Sequence, residues 1–131
     1  MNLVVKKYGG TSVASIAKIS KIAENLIDEY NSNKNLVVVL SAMGDSTDKL
    51  VNLSSKVSKN PNTRDFDMLL SSGEQVSVSL LSMMLNERGV AAKSYTGWQA
   101  GIKTNIDYNN ARILSIDTKR IRADLKKGFV I

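Results

Sequence analysis

The chain opens with the residues NLVVKKYGGTS, numbered 2–12, which predict a strand, a glycine turn and a helix in succession. Asn2 to Lys7 has the short apolar character of a buried strand, and the pair Gly9-Gly10 can form the turn after it. A helical repeat begins at Ser12 and places apolar side chains every three or four positions, at Val13, Ile16, Ile19, Ala23, Leu26 and Tyr30. Thr11 or Ser12 would then be the helix N-cap.

Strands and helices alternate along the rest of the chain. Leu36 to Leu40 is rich in β-branched residues, as in a parallel strand that is covered on both faces. A helix from about Asp45 to Val57 follows it, and a longer helix from about Arg64 to Glu87 ends at Gly89. The later segments predict a strand at Val90–Tyr95, a loop at Thr96–Asn105, a strand at Ala111–Ile116, a helix at Thr118–Lys127 and the start of a strand at Phe129–Ile131. This order predicts an α/β fold, a layered αβα sandwich with a mostly parallel sheet.

The composition is that of one soluble domain with a limited chemical repertoire. The 131 residues are 43% hydrophobic and 23% charged, which argues against a disordered or fibrous chain. There is no cysteine and no histidine, so disulfides, thiolate zinc sites and the commonest neutral-pH base are excluded. Any chemistry must use Lys, Asp, Glu, Ser, Thr and backbone groups, and we predict no dedicated metal site. No signal peptide or membrane span fits the sequence, which predicts a cytoplasmic protein without a membrane partner.

The net charge of +6 favours anionic partners such as nucleotide phosphates, acidic metabolites or nucleic acid. Much of this excess lies in one late segment, at Lys119, Arg120, Arg122, Lys126 and Lys127. A solvated helix face explains this cluster without any ligand. Few aromatic residues are interleaved with it, so stacking on single-stranded nucleic acid is poorly supported.

The loop after the first strand, KYGGTS at residues 7–12, is a candidate anion site. Ligands of open α/β sheets bind beyond the carboxyl ends of the strands. Two glycines let the backbone approach a phosphate, the next helix offers free N–H groups, and Lys7 adds an ammonium at the same edge. The lysine precedes the glycines, so the loop is neither a Walker lysine loop nor a dinucleotide-binding motif. A plain strand-to-helix turn is an equal alternative.

The loop after the second strand, Ser41 to Asp48, should reach the same edge if the two strands are parallel. Its hydroxyl groups would then face Lys7. Helix capping by Asp45 or Ser46 is the structural alternative. The two loops together predict a ligand site at one sheet edge.

The third candidate is the pair Gly73-Glu74 inside the predicted long helix. A glycine there costs about 1 kcal/mol relative to alanine, which implies a close backbone approach or a functional need. A turn of about 100° per residue places Glu74 on the same side as Phe66, Leu70, Ser77, Leu81 and Leu85. A carboxylate in that stripe needs a cation or hydrogen-bond donors, and a ligand ammonium would serve. The alternative is a helix-edge glutamate whose head reaches water.

Five segments in order resemble the sequence signature of aspartokinases, in the amino acid kinase superfamily. They are KYGGTS at 7–12, VVVLSAMG at 37–44 with Thr47-Asp48, LLSSGEQ at 69–75, GWQAGI at 97–102 and ARI at 111–113. The resemblance covers essentially the whole chain and keeps the family's order and spacing. It implies an amino acid kinase-like fold that is incomplete at the C-terminus.

The resemblance implies an aspartate kinase, which transfers the γ-phosphoryl group of ATP, with Mg²⁺, to the side-chain carboxylate of L-aspartate and gives 4-phospho-L-aspartate. It implies that the ATP phosphates are bound by Lys7, Tyr8, Gly9 and Gly10. Lys7 would be the catalytic residue that stabilises charge on the transferring group. The attacking carboxylate is already ionised at pH 7, so the lack of histidine suits this reaction.

The resemblance assigns L-aspartate to Ser41, Thr47 and Glu74, and the Glu74 carboxylate would hold the substrate's α-ammonium. This agrees with the position of Glu74 on the helix wheel. A sister amino acid kinase, acting on glutamate, acetylglutamate or another acid, is the nearest alternative. A non-catalytic module that binds phosphate or nucleic acid through the positive charge is the alternative from another class.

The resemblance further implies that residues 1–131 are the N-terminal, amino-acid-binding half of a catalytic domain. The nucleotide-base half and the regulatory ACT domains of the family have no counterpart in this sequence. We therefore expect little or no kinase activity from the chain alone. The full-length protein is expected to be a cytoplasmic homo-oligomer that serves lysine, threonine and methionine biosynthesis.

Overall fold

The computed structural model describes residues 2–131, which form two small sheets and four α-helices. The elements are, in chain order, β1 (Leu3–Tyr8), α1 (Ile16–Asn31), β2 (Asn35–Leu40), α2 (Ser46–Val57), α3 (Thr63–Glu87), β3 (Ile102–Thr104), β4 (Ile113–Ile116) and α4 (Lys119–Lys126). A 3₁₀ turn, Gly10–Val13, lies between β1 and α1. The predicted α/β class is confirmed.

β1 and β2 form a parallel pair, as the sequence predicts. Their register runs from Leu3 opposite Asn35 to Tyr8 opposite Leu40. Parallel neighbours need a crossover connection, and α1 provides it. Both strands therefore end at the same edge of the sheet.

The core lies on one face of this parallel pair, between β2, α1 and α3. Each element contributes an apolar stripe at its own period, and the buried residues are Ile19, Ile22, Ala23, Leu26, Leu36, Leu40, Leu81 and Leu85. The opposite face of the strands is more open, since Val5 is 63% exposed and Val39 is 46% exposed. The helices of residues 2–131 thus leave much of that second face uncovered.

Val130 and Ile131 extend the sheet on the far side of β2. The Ile131 N–H donates to the Leu36 carbonyl at 3.0 Å, and the Val38 N–H donates to the Ile131 carbonyl at 2.6 Å. The predicted start of a strand at Phe129–Ile131 therefore lies beside β2.

The prediction of a regular strand at Val90–Tyr95 is wrong. A single parallel bridge joins Ala92 to Val130. At this bridge the Lys93 N–H donates to the Val130 carbonyl at 2.9 Å, and the Val130 N–H donates to the Ala91 carbonyl at 2.8 Å.

The second sheet is an antiparallel hairpin, which the sequence analysis missed. Ile102 pairs with Ile116, so the loop predicted across Thr96–Asn105 contains β3. The strand predicted from Ala111 begins instead at Ile113. All four side chains of β4 are exposed, so this segment lacks the one-sided burial that produces a clear alternating pattern.

α3 is the longest helix, and local capping features define both of its ends. The Asn62 side chain accepts a hydrogen bond from the Arg64 N–H at 2.9 Å, and Gly89 adopts a left-handed φ of 81° just past the end. The predicted helix from Arg64 to Glu87 is confirmed to within one residue. α3 also has the length and hydropathy of a membrane span, and it packs against α1, α2 and β2.

A buried carboxylate fastens α4 to the segment before the hairpin. Asp124 is 6% exposed, accepts a hydrogen bond from the Tyr95 hydroxyl and lies 2.9 Å from the Lys93 ammonium. The bonds from Tyr95 and Lys93 hold the pKa of Asp124 below its usual value. Burial, and then the bond to Asp124, raises the pKa of the Tyr95 hydroxyl. The basic side chains of α4 are exposed, as expected of a solvated helix face.

We expect the contribution of Asp124 to stability to disappear in acid. A carboxyl whose pKa is lowered by folding stabilises the fold above its unfolded value, here 3.8, and this is lost as the pH falls through the lower folded value. Asp124→Asn should therefore lower the urea midpoint at neutral pH, and this loss should shrink as the pH falls from 5 to 3. Asp28→Asn, at an exposed carboxylate of α1, is the control. A loss that is the same at every pH would contradict the assignment.

Candidate functional site

Two loops meet at the carboxyl edge of the parallel pair. The first loop is Lys7–Ser12 and the second loop is Ser41–Asp48. The Ser41 N–H donates to the Tyr8 carbonyl at 3.1 Å, directly beyond the last paired residues of the two strands. The predicted meeting of the loops is confirmed.

A second contact brings the glycines of the two loops together. The Gly44 N–H donates to the Gly10 carbonyl at 3.0 Å. A Cβ at Gly10 would lie 3.1 Å from the Ala42 carbonyl oxygen, which is tighter than ordinary contact. Glycine at position 10 therefore lets the second loop approach the first.

The first loop does not lead directly into α1 as predicted. A 3₁₀ turn intervenes, in which the Val13 side chain is fully buried. The helix N-cap is Ser15, whose hydroxyl accepts a hydrogen bond from the Lys18 N–H at 3.2 Å. The prediction of Thr11 or Ser12 as the cap is wrong, because the burial of Val13 holds this segment in the tighter turn.

Lys6 and Lys7 point to opposite faces of β1. Lys6 pairs with Glu29 of α1, and this hydrogen bond raises the pKa of Lys6 and lowers that of Glu29. Lys7 is exposed, opposite Val39, and enters no ion pair in the part of the chain that the structure describes. The Lys7 ammonium is thus the one of the two that can serve a ligand.

Lys18 is a second cation beside the first loop, and the sequence analysis missed it. Its ammonium donates to the Thr11 carbonyl at 2.8 Å. Lys18 lies in the first turn of α1 only because that helix starts after Ser15. Lys18 could have been identified from the sequence if the start of α1 had been predicted correctly.

The second loop ends at the N-terminus of α2 without a side-chain cap. Asp45 occupies the N-cap position but makes no capping hydrogen bond. Its carboxylate instead pairs with Lys49 at 2.9 Å, and that bond lowers the pKa of Asp45. The capping role predicted for Asp45 is therefore wrong. Thr47, half-buried, lies in the first turn of α2, where backbone N–H groups attract anions.

Gly73 is the point where α3 packs on the second loop. A Cβ at Gly73 would lie 2.9 Å from the Ala42 Cβ and 3.5 Å from a methyl carbon of Leu50. The close backbone approach predicted from a glycine inside a helix is confirmed. Next to it on the helix, Glu74 is half-buried.

The Glu74 side chain lines a cleft of about 960 Å³ between β2, α3 and the segment around the hairpin. Ser71, Gln75, Thr96 and Trp98 are among the other lining residues. Glu74 forms no salt bridge within residues 2–131, and the basic residues that line the same cleft are Arg64 and Lys93. The cleft and its carboxylate could accept a ligand ammonium.

The structure brings most of the candidate residues to one region. Gly10 and Ser41 belong to loops that hydrogen-bond each other, and Thr47 follows on the second loop. Glu74 lies one residue beyond the glycine that contacts this loop, but Ser41 and Thr47 do not line its cleft. The Tyr8 side chain is partly buried and packs against the core.

Comparison with known proteins places this arrangement in a family. The family model described as "Amino acid kinase family" matches residues 2–131. The chain belongs to the amino acid kinase family. Among curated relatives in this family, the aspartokinase of Geobacillus stearothermophilus is 52% identical over 131 residues, and aspartokinase 2 of Bacillus subtilis (strain 168) is also 52% identical. Each alignment covers 100% of this chain but 32% of the relative, so the chain spans about a third of these proteins.

Solved structures of amino acid kinases agree with this placement. The aspartate kinase from Synechocystis is 44% identical with a TM-score of 0.85, over 98% of this chain and 21% of that one. Escherichia coli aspartokinase III, crystallised with aspartate and ADP, has a TM-score of 0.77 over 100% of this chain and 40% of its own. Its identity is 20%, so it supports the fold alone.

Proposed function

We propose that this chain is the N-terminal, amino-acid-binding half of an aspartate kinase catalytic domain. The reaction is transfer of the γ-phosphoryl group of ATP to the side-chain carboxylate of L-aspartate, which gives 4-phospho-L-aspartate. The observation that carries the proposal is the contact between the Gly9-Gly10 loop and the second loop, on which α3 packs through Gly73, the residue before Glu74. About half of all residues are identical to proteins named aspartokinase, which supports the choice of substrate.

The chemical problem in this reaction is electrostatic. An ionised carboxylate must approach a polyanion, so no general base is needed and positive charge must be held in place. The Lys7 ammonium, on the face of β1 away from Glu29, stabilises charge on the transferring group. Backbone N–H groups of Gly9 and Gly10 bind the phosphates, because no side chain there prevents a close approach.

L-Aspartate lies on the side of the second loop and α3 in this proposal. The hydroxyl groups of Ser41 and Thr47 orient the substrate, and the Glu74 carboxylate binds its α-ammonium. The uncapped N-terminus of α2 adds a favourable potential for a substrate carboxylate.

No group of three His, Cys, Asp or Glu side chains converges within residues 2–131. Phosphate oxygens usually supply several of the ligands of a nucleotide-bound Mg²⁺. We therefore assign no residue of this segment to Mg²⁺. A cytoplasmic location, homo-oligomeric assembly, and a role in lysine and threonine biosynthesis are part of the same proposal and follow from the family resemblance.

A graft tests the proposal directly. Residues 2–131 of this chain would replace the matched segment of the Geobacillus stearothermophilus aspartokinase, and this protein is called the graft below. Acyl phosphate trapped with hydroxylamine is measured with aspartate, glutamate or acetylglutamate as the acceptor. We expect product with aspartate. Product with another acid instead would favour a sister kinase, and a folded graft without product would contradict the proposal.

Glu74→Gln in the graft is expected to raise the KM for aspartate about 10- to 100-fold, because hydrogen bonds to charged groups contribute about 1.5–3 kcal/mol. The KM for ATP should be unchanged. Initial rates over a range of each substrate measure both constants. Glu87→Gln, at the exposed far end of the same helix, is the matched control. An equal rise for ATP would show that Glu74 does not bind the acceptor.

A further inference from the structure

One buried hydroxyl group joins two of the three residues to which the proposed function assigns aspartate, Ser41 and Glu74. Ser77 of α3 has no exposed surface. Its hydroxyl oxygen lies 2.7 Å from the Ser41 carbonyl oxygen and 3.0 Å from the Glu74 carbonyl oxygen. The shorter contact leaves the helix and reaches a residue 36 positions earlier in the chain.

The position of Ser77 would favour an apolar side chain on packing grounds alone. It lies on the stripe that carries the buried Leu81 and Leu85, and a buried hydroxyl is costly unless it is hydrogen-bonded. The hydroxyl of a serine in a helix can donate a hydrogen bond to a carbonyl of the preceding turn, as Ser72 does to the Leu69 carbonyl at 2.6 Å. Ser77 instead has its closer partner on the second loop, so its hydroxyl connects two elements.

The second loop is held tightly where Ser77 reaches it. Ala42, next to Ser41, is 4% exposed, and its carbonyl oxygen faces Gly10 while its Cβ faces Gly73. A Cβ on either glycine would lie about 3 Å from Ala42, at 3.1 Å and 2.9 Å respectively. The loop backbone is therefore enclosed between the first loop and α3, and the Ser77 hydrogen bond fixes it to one turn of that helix.

We propose that Ser77 is a positioning residue of the acceptor site, which holds Ser41 at a fixed place relative to Glu74. This inference rests on the proposed function, because that function gives Ser41 and Glu74 their shared ligand. Ser77 touches neither substrate. Its hydroxyl acts through the backbone carbonyls of Ser41 and Glu74, two of the three residues assigned to the acceptor.

Ser77→Ala in the graft should raise the KM for aspartate about tenfold, the size expected for one lost hydrogen bond. The KM for ATP should stay unchanged, because the Ser77 hydroxyl donates to the Ser41 and Glu74 carbonyls and to no residue of the first loop. Ser72→Ala, on the same helix, is the matched control and should change neither constant. Ser77→Cys keeps the volume with a weaker donor, so it should give an intermediate KM for aspartate.

Hydrogen exchange gives a readout that does not depend on activity. In Ser77→Ala the amides of Ser41 and Gly44 should exchange faster than in the parent graft, and in Ser72→Ala they should not. Equal rises in both KM values would reduce Ser77 to a general structural role and overturn the inference, as would an unchanged KM for aspartate. If Ser77→Ala does not fold, a KM for aspartate in Ser77→Cys equal to that of the parent overturns it. A parent graft that makes no aspartate-dependent product would instead refute the proposed function, which separates the two failures.

Discussion

Lys7→Met in the graft is expected to lower kcat about 100- to 1000-fold, the loss found when one preorganised group that stabilises transition-state charge is removed. Lys7 lies at the end of β1, is exposed, and is not paired with a carboxylate in residues 2–131. Methionine keeps much of the length and the apolar stem while it removes the charge. The KM for aspartate should change little, because the proposed function places the acceptor on the second loop and α3.

Lys6→Met is the matched control for this experiment. The two lysines are neighbours on one strand, but the Lys6 ammonium binds Glu29 on the other face. Its loss should lower the thermal midpoint, because the Glu29 carboxylate is left with the longer contact to Lys34 at 3.6 Å. The kcat of Lys6→Met should match that of the parent. A similar fall in kcat for both variants would mean that strand damage, and not the Lys7 charge, explains the loss.

The parallel pair and its loops could be predicted because their signals are local. An apolar run followed by Gly9-Gly10 indicates a strand and a turn without any knowledge of distant contacts. The helix α3 was equally clear, since its apolar stripe extends over many turns between a capping asparagine and Gly89. Gly73 stood out because a glycine inside a helix is unfavourable unless something packs against it.

The start of α1 could not be predicted from local signals. Thr11, Ser12 and Ser15 are all good capping residues, so sequence preference does not choose between them. Tertiary contact decides, because Val13 is fully buried within the 3₁₀ turn. Lys18 was missed for the same reason, since its place beside the first loop depends on where the helix begins.

The partner of Ser77 was also beyond the sequence. The helix wheel places Ser77 on the inward stripe, but it cannot say which carbonyl the hydroxyl meets. The nearest one belongs to Ser41, on the loop after β2. Contacts between residues far apart in sequence need the packing of α3 on that loop, which depends on the whole core.

The β3–β4 hairpin was missed because β3 lies in a segment predicted as a loop, although a strand was predicted over β4. β3 has only three residues, too few for an alternating pattern, and β4 is exposed on both faces. At the base of the hairpin, Gly101 adopts a backbone conformation that favours glycine. Gly101 has a φ of +85°, and its carbonyl accepts a hydrogen bond from the Asp117 N–H at 2.9 Å.

Gly101→Ala is therefore expected to lower the local stability of the hairpin by about 2–5 kcal/mol, from left-handed strain and overpacking together. The added Cβ would lie 2.0 Å from the Asp117 carbonyl oxygen, which is a backbone atom and cannot rotate away. This steric overlap is relieved only if the two strands separate. Hydrogen exchange of the Asn105 and Asp117 amides, which bond across the hairpin, should accelerate about 30-fold or more, since 1.4 kcal/mol corresponds to tenfold. The amides of α1 should keep their protection.

Gly97→Ala separates this strain from the general effect of replacing a glycine. Gly97 lies in the same turn region, has no positive φ, and a Cβ there would meet nothing within 4 Å. The hairpin amides should therefore exchange at the parent rate in Gly97→Ala. Equal acceleration in both variants would mean that glycine flexibility in the turn matters more than the contact with Asp117. Acceleration in Gly101→Ala alone would establish that this one backbone approach holds the exposed hairpin together.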